Sequence, residues 1–337
     1  MTEQPLITIG LITFNAADTV AAAIESALAQ DWPNTEIVIV DDVSSDGTVE
    51  ILKEYERKDQ RIRLILLGEN QGVAGARNQI IEAAQGDFIC FFDDDDISVP
   101  ERLTRQYERL TSYQERFSDG APVLCHSARR QIYPDGAERI ETTMGTDEDR
   151  PAPNGLDVVR RVLAGYPVPG VYGSLATCSQ MGRTEDYRAL GGFNQEFRRC
   201  GDTEHSLRFA KAGGHFPGIA IPLVTQAMTY GTEKSLSVQC DYFLSLFDLH
   251  KDALAKTVNP AFCRAWIKAK YLYLMGHHSA FFWCMIKIFV RHPVRTAQRL
   301  WWALPNRKLN ARLAGFHQNE PERMSTKQSL NITSEAG

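Results

Sequence analysis

The sequence lacks several features that would place the protein across a membrane or outside a reducing compartment. Its seven cysteines are odd in number and form no CxxC pair, which argues against a disulfide framework or a zinc site. The start, MTEQPLITIG, has no basic segment followed by an apolar one, so we expect no signal peptide. A membrane-spanning helix needs about 18 uncharged, apolar residues in a row, and no stretch of the sequence reaches that length. The nearest candidate, 279–290, is too short and contains Lys287. These absences predict a cytoplasmic protein.

Charge is distributed unevenly along the chain. The formal net charge is −5, yet residues 251–313 carry twelve Lys or Arg against one acid, Asp252. Four of the five Trp also lie in this basic segment. The two parts of the chain are therefore expected to face different surroundings.

Apolar β-branched runs alternate with helical patterns over the first 110 residues or so. The predicted strands are Leu6–Thr13, Glu36–Val40, Ile62–Leu67 and Asp87–Phe92. This alternation predicts an α/β fold whose mixed, mostly parallel sheet is covered by helices on both faces. Later, residues 122–143 resemble a hairpin and Ser174–Gln180 a strand. From about residue 240 the pattern is helical.

These patterns predict three parts of the chain. Residues 1–238 form an α/β domain, with a nucleotide-binding half at 1–118 and a catalytic half at 119–238. Residues 239–317 form a basic, aromatic helical segment. The polar residues 318–337 form a disordered tail.

Polar loops follow three of the predicted strands, where ligands of open parallel sheets bind. The most acidic loop follows FICFF and reads DDDDIS. Alternate residues point the same way, so Asp93 and Asp95 can converge on one cation, and carboxylates suit Mg²⁺ or Mn²⁺. A solvated acidic turn that caps the next helix is the structural alternative.

The loop DDVSSDGT follows the second strand. Ser45 or Asp46 is expected to cap the next helix. Asp41 and Asp42 are not needed for a cap and could accept hydrogen bonds from a nucleobase or from ribose hydroxyls. After the first strand, Asn15 is expected to cap a helix.

Five motifs in order give the sequence a specific resemblance. The first is the pair Phe14-Asn15 after the first predicted strand. The others are IVIVDDVSSDGT, NQGVAGARN, DFICFFDDDDISVPERL, and GGFNQEF followed by GDTEHSLR, and the resemblance extends over roughly residues 5–235. This order resembles the family 2 glycosyltransferases of the GT-A fold. Members of that family transfer a sugar from a nucleotide donor with inversion and use a divalent cation.

The resemblance implies a role for each matching residue. Asp95 would bind the metal, and Asp93 would lie near the metal and the ribose. The other implied nucleotide contacts are Thr13, Phe14, Asn15, Asp41, Asp42, Arg77, Asn78 and Asp94. The donor would be UDP-, GDP- or dTDP-linked, and the acceptor a saccharide or a lipid-linked glycan of a bacterial surface polysaccharide.

The implied general base is Asp202. The family usually has Glu-Asp at this point, whereas this chain has Gly201-Asp202, with Glu204 two residues later. A base is needed because an acceptor hydroxyl must lose its proton as it attacks the anomeric carbon. Glu204 is the rival base, and a helix cap is the structural alternative for Asp202.

The basic segment 260–303 interleaves Trp and Phe with Lys and Arg. This combination suits a helix on an anionic membrane surface and would place the protein on the inner face of the plasma membrane. Packing on the core or on another subunit is the alternative. No nucleic-acid recognition motif accompanies the basic residues.

Two other enzyme classes lack their sequence signals. A dehydrogenase needs GxGxxG after the first strand, and a sugar nucleotidyltransferase needs a glycine-rich loop followed by Lys. The segment GLITFNAAD has neither. A nucleotidyltransferase, or a protein that binds nucleotide sugars without transferring them, remains the alternative function.

Overall fold

The computed structural model describes residues 4–133, 135–168, 170–171, 173–228, 235–254 and 258–304. The chain separates into two compact units. The sheet unit comprises residues 1–132, 138–158 and 168–227, and the helical unit comprises residues 133–137, 159–167 and 228–337. The predicted disordered tail, 318–337, lies outside the described residues.

A single sheet of nine strands forms the centre of the sheet unit in the part of the chain that is described. The strands are β1 Ile7–Thr13, β2 Thr35–Asp41, β3 Ile62–Leu66, β4 Phe88–Asp93, β5 Asp96–Ser98, β6 Leu124–Ile132, β7 Glu138–Glu141, β8 Gln180–Arg183 and β9 Gly218–Ala227. Their order is β3-β2-β1-β4-β8-β6-β9-β5, and β7 pairs with β6. Strands β1 to β4 are parallel, β6 and β9 are also parallel, and the other pairings are antiparallel. The predicted mixed α/β fold is therefore confirmed.

The helices complete the two units. They are α1 Val20–Leu28, α2 Thr48–Lys58, α3 Gly72–Ala83, α4 Arg102–Tyr113, α5 Gly155–Ala164, α6 Thr184–Ala189, α7 Gly201–Lys211, α8 Leu236–His250, α9 Pro260–Leu274, α10 His278–Arg291 and α11 Pro293–Ala303. Helices α8 to α11 confirm the expected C-terminal helical segment over its described part. None of the described helices is both long and apolar enough to span a membrane.

Alternating apolar residues of β1, β2 and β4 form the core under the site. Ile9, Ile39 and Cys90 are fully buried in one cluster with Ile24 of α1 and Leu110 of α4. Burying such side chains stabilises the fold by roughly 1.5–3 kcal/mol each. The core thus holds the ends of these three strands in fixed positions.

A buried arginine fixes the path of the chain after β4. Arg102 is fully buried, and its guanidinium donates to the Phe91 carbonyl (2.9 Å) and to the Ser98 hydroxyl (2.9 Å). It also lies over the Phe92 ring, 4.5 Å from its centroid. These contacts tie the start of α4 to both sides of the acidic turn.

Two local predictions were wrong. Asn15 does not cap α1, because it adopts φ 51° and its Oδ1 accepts from the Ser45 amide at 2.8 Å. Ser174–Gln180 is not a strand, because Thr177–Ser179 form a 3-10 turn and β8 begins only at Gln180. The amide of Thr177 donates to Asp202 and is therefore not available to a sheet ladder.

Candidate active site

The candidate site lies at the carboxyl edge of β1, β2 and β4. The register pairs Thr13 with Asp41 and Ile12 with Asp93, so the three strands end side by side. A cleft of about 240 Å³ opens at this edge. It is lined by Ile12, Thr13, Phe14, Asp42, Val73, Ala76, Arg77, Asp93, Asp94 and Asp95. Seven of the predicted site residues therefore line one cleft.

The acidic turn joins β4 to β5. Asp94 Oδ2 accepts a hydrogen bond from the Phe14 amide at 3.0 Å, which connects the turn to the loop after β1. Burial raises the pKa of Asp94 to about 7, and the charges of Asp95 and Asp93 add to that rise while the Phe14 amide opposes it. The turn therefore concentrates negative charge that the surrounding protein neutralises only in part.

Asp96 is the most buried acid of the turn, at 2% exposure. Neither carboxylate oxygen accepts a conventional hydrogen bond from the described residues. Burial, followed by the Asp93 and Asp95 charges, raises the pKa of Asp96 to about 8. The Cys178 thiol and the Arg129 charge oppose this rise but do not offset it, so a cationic ligand would stabilise the carboxylate further.

The acids provide a donor set for a divalent cation. Single donor atoms of Asp93, Asp96 and Cys178 lie within 4.8 Å of one another, and Asp95 lines the same cleft. The carboxylate oxygens fit Mg²⁺ or Mn²⁺, and the unpartnered oxygens of Asp96 need a cation or a proton. The Cys178 sulfur already accepts from Arg129 at 3.7 Å. The residues present thus fit the metal that the resemblance implies, and Asp96 joins Asp93 and Asp95 as a candidate ligand.

Arg77 connects the acidic turn to α7. Its guanidinium donates to Asp93 Oδ1 at 3.1 Å and to Asp202 Oδ1 at 2.8 Å. It lies over the Phe193 ring, 5.4 Å from the centroid, and is only 5% exposed. A planar guanidinium can serve two carboxylates in fixed directions, so Arg77 sets the separation of these acids.

Asp202 lies in the first turn of α7 and does not cap the helix. The N-cap residue is Cys200, which makes no side-chain cap, and Asp202 Oδ2 accepts from the Thr177 amide at 3.1 Å. Burial raises the pKa of Asp202, but the Arg77 charge and the Thr177 hydrogen bonds outweigh it and hold that pKa below its ordinary value. The side chain keeps 37% exposure. Asp202 is therefore an ionised and accessible carboxylate.

Glu204 has different surroundings. Its side chain is 1% exposed, and both oxygens accept from Arg208 Nε, at 2.8 and 3.0 Å. Arg208 also donates to the Leu190 carbonyl at 2.7 Å. Glu204 thus orders the loop before α7, whereas Asp202 remains within reach of solvent.

The two acids after β2 are used unequally. Asp42 accepts from the amides of Gln71 (2.7 Å) and Gly72 (2.8 Å), which open α3. Asp41 Oδ2 accepts from the Ser44 amide at 2.9 Å, whereas Asp41 Oδ1 is buried and has no partner among the described residues. Asp42 lines the cleft and shapes it, and Asp41 has the unused acceptor atom.

Two asparagines of the predicted set make structural contacts. Asn15 joins the loops after β1 and β2 through Ser44 and Ser45. Asn78 donates to the Phe193 carbonyl (2.9 Å) and accepts from the Phe193 amide (2.7 Å). Neither side chain lines the cleft, so a direct nucleotide contact by either stays a prediction.

Several residues of the site had no role in the sequence analysis, among them Thr177, Cys178, Val73 and Ala76. The segment GSLATCSQ, which contains Thr177 and Cys178, matches no motif, and only the fold brings it to the acids. Val73 and Ala76 lie in the motif NQGVAGARN, so the motif itself was the available signal.

Comparison with known proteins places the site in context. Residues 8–166 match the family model described as Glycosyl transferase family 2. The putative teichuronic acid biosynthesis glycosyltransferase TuaG of Bacillus subtilis (strain 168) is 36% identical over 143 residues, covering 39% of this chain and 57% of that protein. The UDP-Glc:alpha-D-GlcNAc-diphosphoundecaprenol beta-1,3-glucosyltransferase WfaP of Escherichia coli is 38% identical over 113 residues, covering 34% and 44%. The chain therefore spans about half the length of these two relatives.

Solved structures share the fold over nearly the whole chain. S. aureus TarS 1-349 in complex with UDP-GlcNAc has a TM-score of 0.58 at 16% identity and covers 97% of this chain and 92% of its own. The mannosyltransferase PcManGT from Pyrobaculum calidifontis, in complex with GDP-Man and Mn2+, has a TM-score of 0.53 at 17% identity and covers 96% and 88%. At these identities the likeness shows a common fold.

Proposed function

We propose that this chain is an inverting, metal-dependent glycosyltransferase of family 2, since residues 8–166 match that family's model and solved glycosyltransferase structures share its fold. It would move a sugar from a nucleotide-sugar donor to a hydroxyl group of a glycan or lipid-linked acceptor of a bacterial surface polysaccharide. The TuaG and WfaP names support this acceptor class.

One observation carries the proposal. Arg77 holds Asp93 of the acidic turn and Asp202 of α7 on two sides of a single guanidinium. An inverting transfer needs a site for the departing diphosphate and a base on the opposite face of the sugar. The acidic turn and Asp202 provide carboxylates for these two tasks in one fixed arrangement.

The residues of the chain have separate tasks in this mechanism. Thr13, Asp41 and Asp42 line or support the nucleotide end of the cleft. Asp93, Asp95 and Asp96 would hold the cation, which would act as a Lewis acid that neutralises the nucleoside diphosphate.

Asp202 would take the proton of the acceptor hydroxyl, since its side chain keeps 37% exposure. Its lowered pKa keeps it ionised at neutral pH, ready to accept that proton. The same lowered pKa makes Asp202 a weak base in the free protein, because Arg77 and Thr177 stabilise the charged form. Donor binding that draws Arg77 toward the diphosphate would raise the basicity of Asp202.

A ligand screen followed by turnover tests the proposal. Thermal shifts are measured with UDP-, GDP- and dTDP-sugars, with and without Mn²⁺, because a ligand that binds the folded state raises its stability. Release of nucleoside diphosphate is then followed with saccharide and lipid-linked acceptors. We expect Mn²⁺-dependent stabilisation by one donor class, followed by turnover that Asp202→Asn lowers by about 10²- to 10⁴-fold. A donor that binds without turnover with either acceptor class would identify a binding protein instead.

We infer further that the helical unit rests on an anionic membrane surface. Helices α10 and α11 expose large apolar side chains, namely Phe282, Trp283, Phe289, Val290, Val294 and Trp301. Lys287, Arg291 and Arg295 are exposed on the same two helices. This mixture suits the interface of a membrane with acidic lipids, and the proposal includes a position on the cytoplasmic face, where a lipid-linked acceptor would lie.

A further inference from the structure

We propose that Arg161, Lys270 and Arg299 of the helical unit bind the diphosphate group of a lipid-linked acceptor. This inference rests on the proposed function, since it names the acceptor that the glycosyltransferase would use. The three cations come from α5, α9 and α11, none of which carries a residue of the acidic cleft.

Two guanidinium groups converge at one backbone atom. Arg161 Nη1 donates to the Gly165 carbonyl at 3.5 Å, and Arg299 Nη1 donates to the same oxygen. Gly165 has φ +59°, and a Cβ there would meet the Arg299 guanidinium. The glycine therefore allows α11 to bring Arg299 beside Arg161.

Lys270 adds a third cation beside the pair, because it lies one turn after Trp266 on α9 and Arg299 lies over the Trp266 ring. Packed protein atoms, and then the Arg161 and Arg299 charges, lower the pKa of Lys270, although its side chain still reaches solvent. Burial likewise lowers the pKa of Arg299 to about 10; Cys263 opposes this and Arg161 adds to it. Among the described residues, no carboxylate contributes to either shift. Clustered cations that repel one another are stabilised by a bound anion.

Aromatic rings hold the cluster in place. Arg299 lies over the Trp266 ring, 5.5 Å from its centroid, and the Tyr166 and Trp302 rings lie 4.8 Å apart. A stacked guanidinium keeps its N–H groups directed in one plane, which suits recognition of phosphate oxygens. The cluster is therefore ordered before any ligand arrives.

The neighbouring surface indicates that the anion belongs to a lipid. Helix α11, which bears Arg299, also exposes Val294, Leu300 and Trp301, at 69%, 46% and 72%. A ligand with a phosphate end and an apolar chain would contact the cations and cover these side chains. Three cations also match a diphosphate, which carries more negative charge than the phosphodiester of an ordinary membrane lipid.

Calorimetry with farnesyl diphosphate tests the assignment. The full chain is titrated below the micelle concentration and without divalent cations, so that the acidic cleft does not contribute. We expect Lys270→Gln and Arg299→Gln each to weaken binding at least about tenfold, because each removes one of three charges. Lys53→Gln, which removes an exposed charge from α2 of the sheet unit, should have no effect. Arg299→Lys should retain part of the affinity.

Each alternative ligand gives a distinct result. Inorganic diphosphate that binds as tightly would overturn the lipid assignment, and farnesol that binds as tightly would overturn the phosphate assignment. Binding to phosphatidylglycerol vesicles but not to farnesyl diphosphate would show a membrane contact only. If Arg299→Gln fails to fold, the exposed Lys270→Gln decides, and unchanged binding there would refute the site.

Donor binding is measured in the same variants with Mn²⁺ and the donor from the screen. We expect it to be unchanged in Lys270→Gln, while the KM for a lipid-linked acceptor rises about tenfold. A wild-type chain that binds farnesyl diphosphate but no nucleotide sugar would refute the proposed function alone. A chain that binds the nucleotide sugar but not farnesyl diphosphate would refute this inference alone.

Discussion

Arg77 Nη1 lies 2.8 Å from Asp202 Oδ1, although the two residues are 125 positions apart in the sequence. The same guanidinium reaches Asp93 at 3.1 Å. The candidate base and the acidic turn are therefore held by one side chain. A change in the position of Arg77 would affect both at once.

Replacing Arg77 with Lys tests this connection. An ammonium group cannot bridge two carboxylates with fixed geometry, so we expect kcat to fall about 10- to 100-fold. Arg77 holds the pKa of Asp202 down through its charge and its hydrogen bond, and a lysine that loses the fixed contact should let that pKa rise. Because the base must be ionised, the acid limb of the kcat/KM profile should move to higher pH. A profile with an unmoved acid limb would show that Asp202 does not titrate in catalysis.

The two acids of α7 can be separated by matched amide variants. Asp202→Asn should keep donor binding and lower transfer by about 10²- to 10⁴-fold, because it removes only the proton acceptor. Glu204→Gln should leave kcat within about threefold and lower the free energy of unfolding by about 2 kcal/mol, because it weakens the buried contact with Arg208. Turnover and denaturant unfolding are measured for both. The opposite pattern would assign the base to Glu204.

His205 offers a stabilising substitution. It is fully buried against Phe193 (4.4 Å between ring centroids) and Tyr187 (5.3 Å), and neither ring nitrogen has a hydrogen-bond partner in the described part of the chain. His205→Phe removes two unsatisfied polar atoms, so we expect the free energy of unfolding at pH 7 to rise by about 1 kcal/mol. Urea unfolding of both proteins at pH 7 measures this difference in the free energy of unfolding. A less stable variant would mean that a hidden polar partner exists.

The benefit of His205→Phe should increase in acid. Burial lowers the pKa of His205 from 6.5 to about 3. Below pH 6.5, therefore, the imidazole is protonated in the unfolded chain but stays neutral in the folded chain. Wild type therefore loses about 1.4 kcal/mol per pH unit through this group as the pH falls from 6.5. Since His126 and all other titrating groups remain in both proteins, the difference between their unfolding curves isolates His205. A constant difference between pH 7 and 5 would contradict the neutral assignment.

The membrane surface is tested by flotation with vesicles that contain phosphatidylglycerol. Trp283→Ser combined with Trp301→Ser should lower the vesicle partition coefficient at least about tenfold. The reason is that two exposed aromatic side chains, which would be buried in the membrane interface, are replaced by small polar ones. Leu66→Ser removes an exposed apolar residue from the sheet unit and serves as the control. Equal flotation of the double variant and wild type would exclude α10 and α11 as the contact.

Sequence reasoning recovered what depends on local pattern. The strands β1 to β4, the acidic turn and the position of Asp202 follow from runs and motifs that the chain order preserves. The partners of these residues could not be read in the same way. Thr177 reaches Asp202, and Cys178 reaches Asp93 and Asp96, only because β8 inserts between β4 and β6.

The misassigned cap has the same origin. Asn15 is a good cap residue by type, but the loop after β2 offers it the Ser45 amide, and this contact across 30 residues of sequence prevails. Local propensity is a weak guide wherever a tertiary partner competes for the same oxygen. Burial of Glu204 and exposure of Asp202 likewise depend on where Arg208 and Arg77 lie, which spacing does not reveal.

The cleft separates parts that are fixed from parts that are free to vary. Asp42 and Arg77 are tied to backbone or to other acids, so most changes there would disturb the scaffold. Phe14 and Val73 line the same cleft but are each 50% exposed, and only the backbone amide of Phe14 is used. Evolution, or an engineer who seeks a different donor, could therefore exchange these two side chains while leaving the catalytic framework intact.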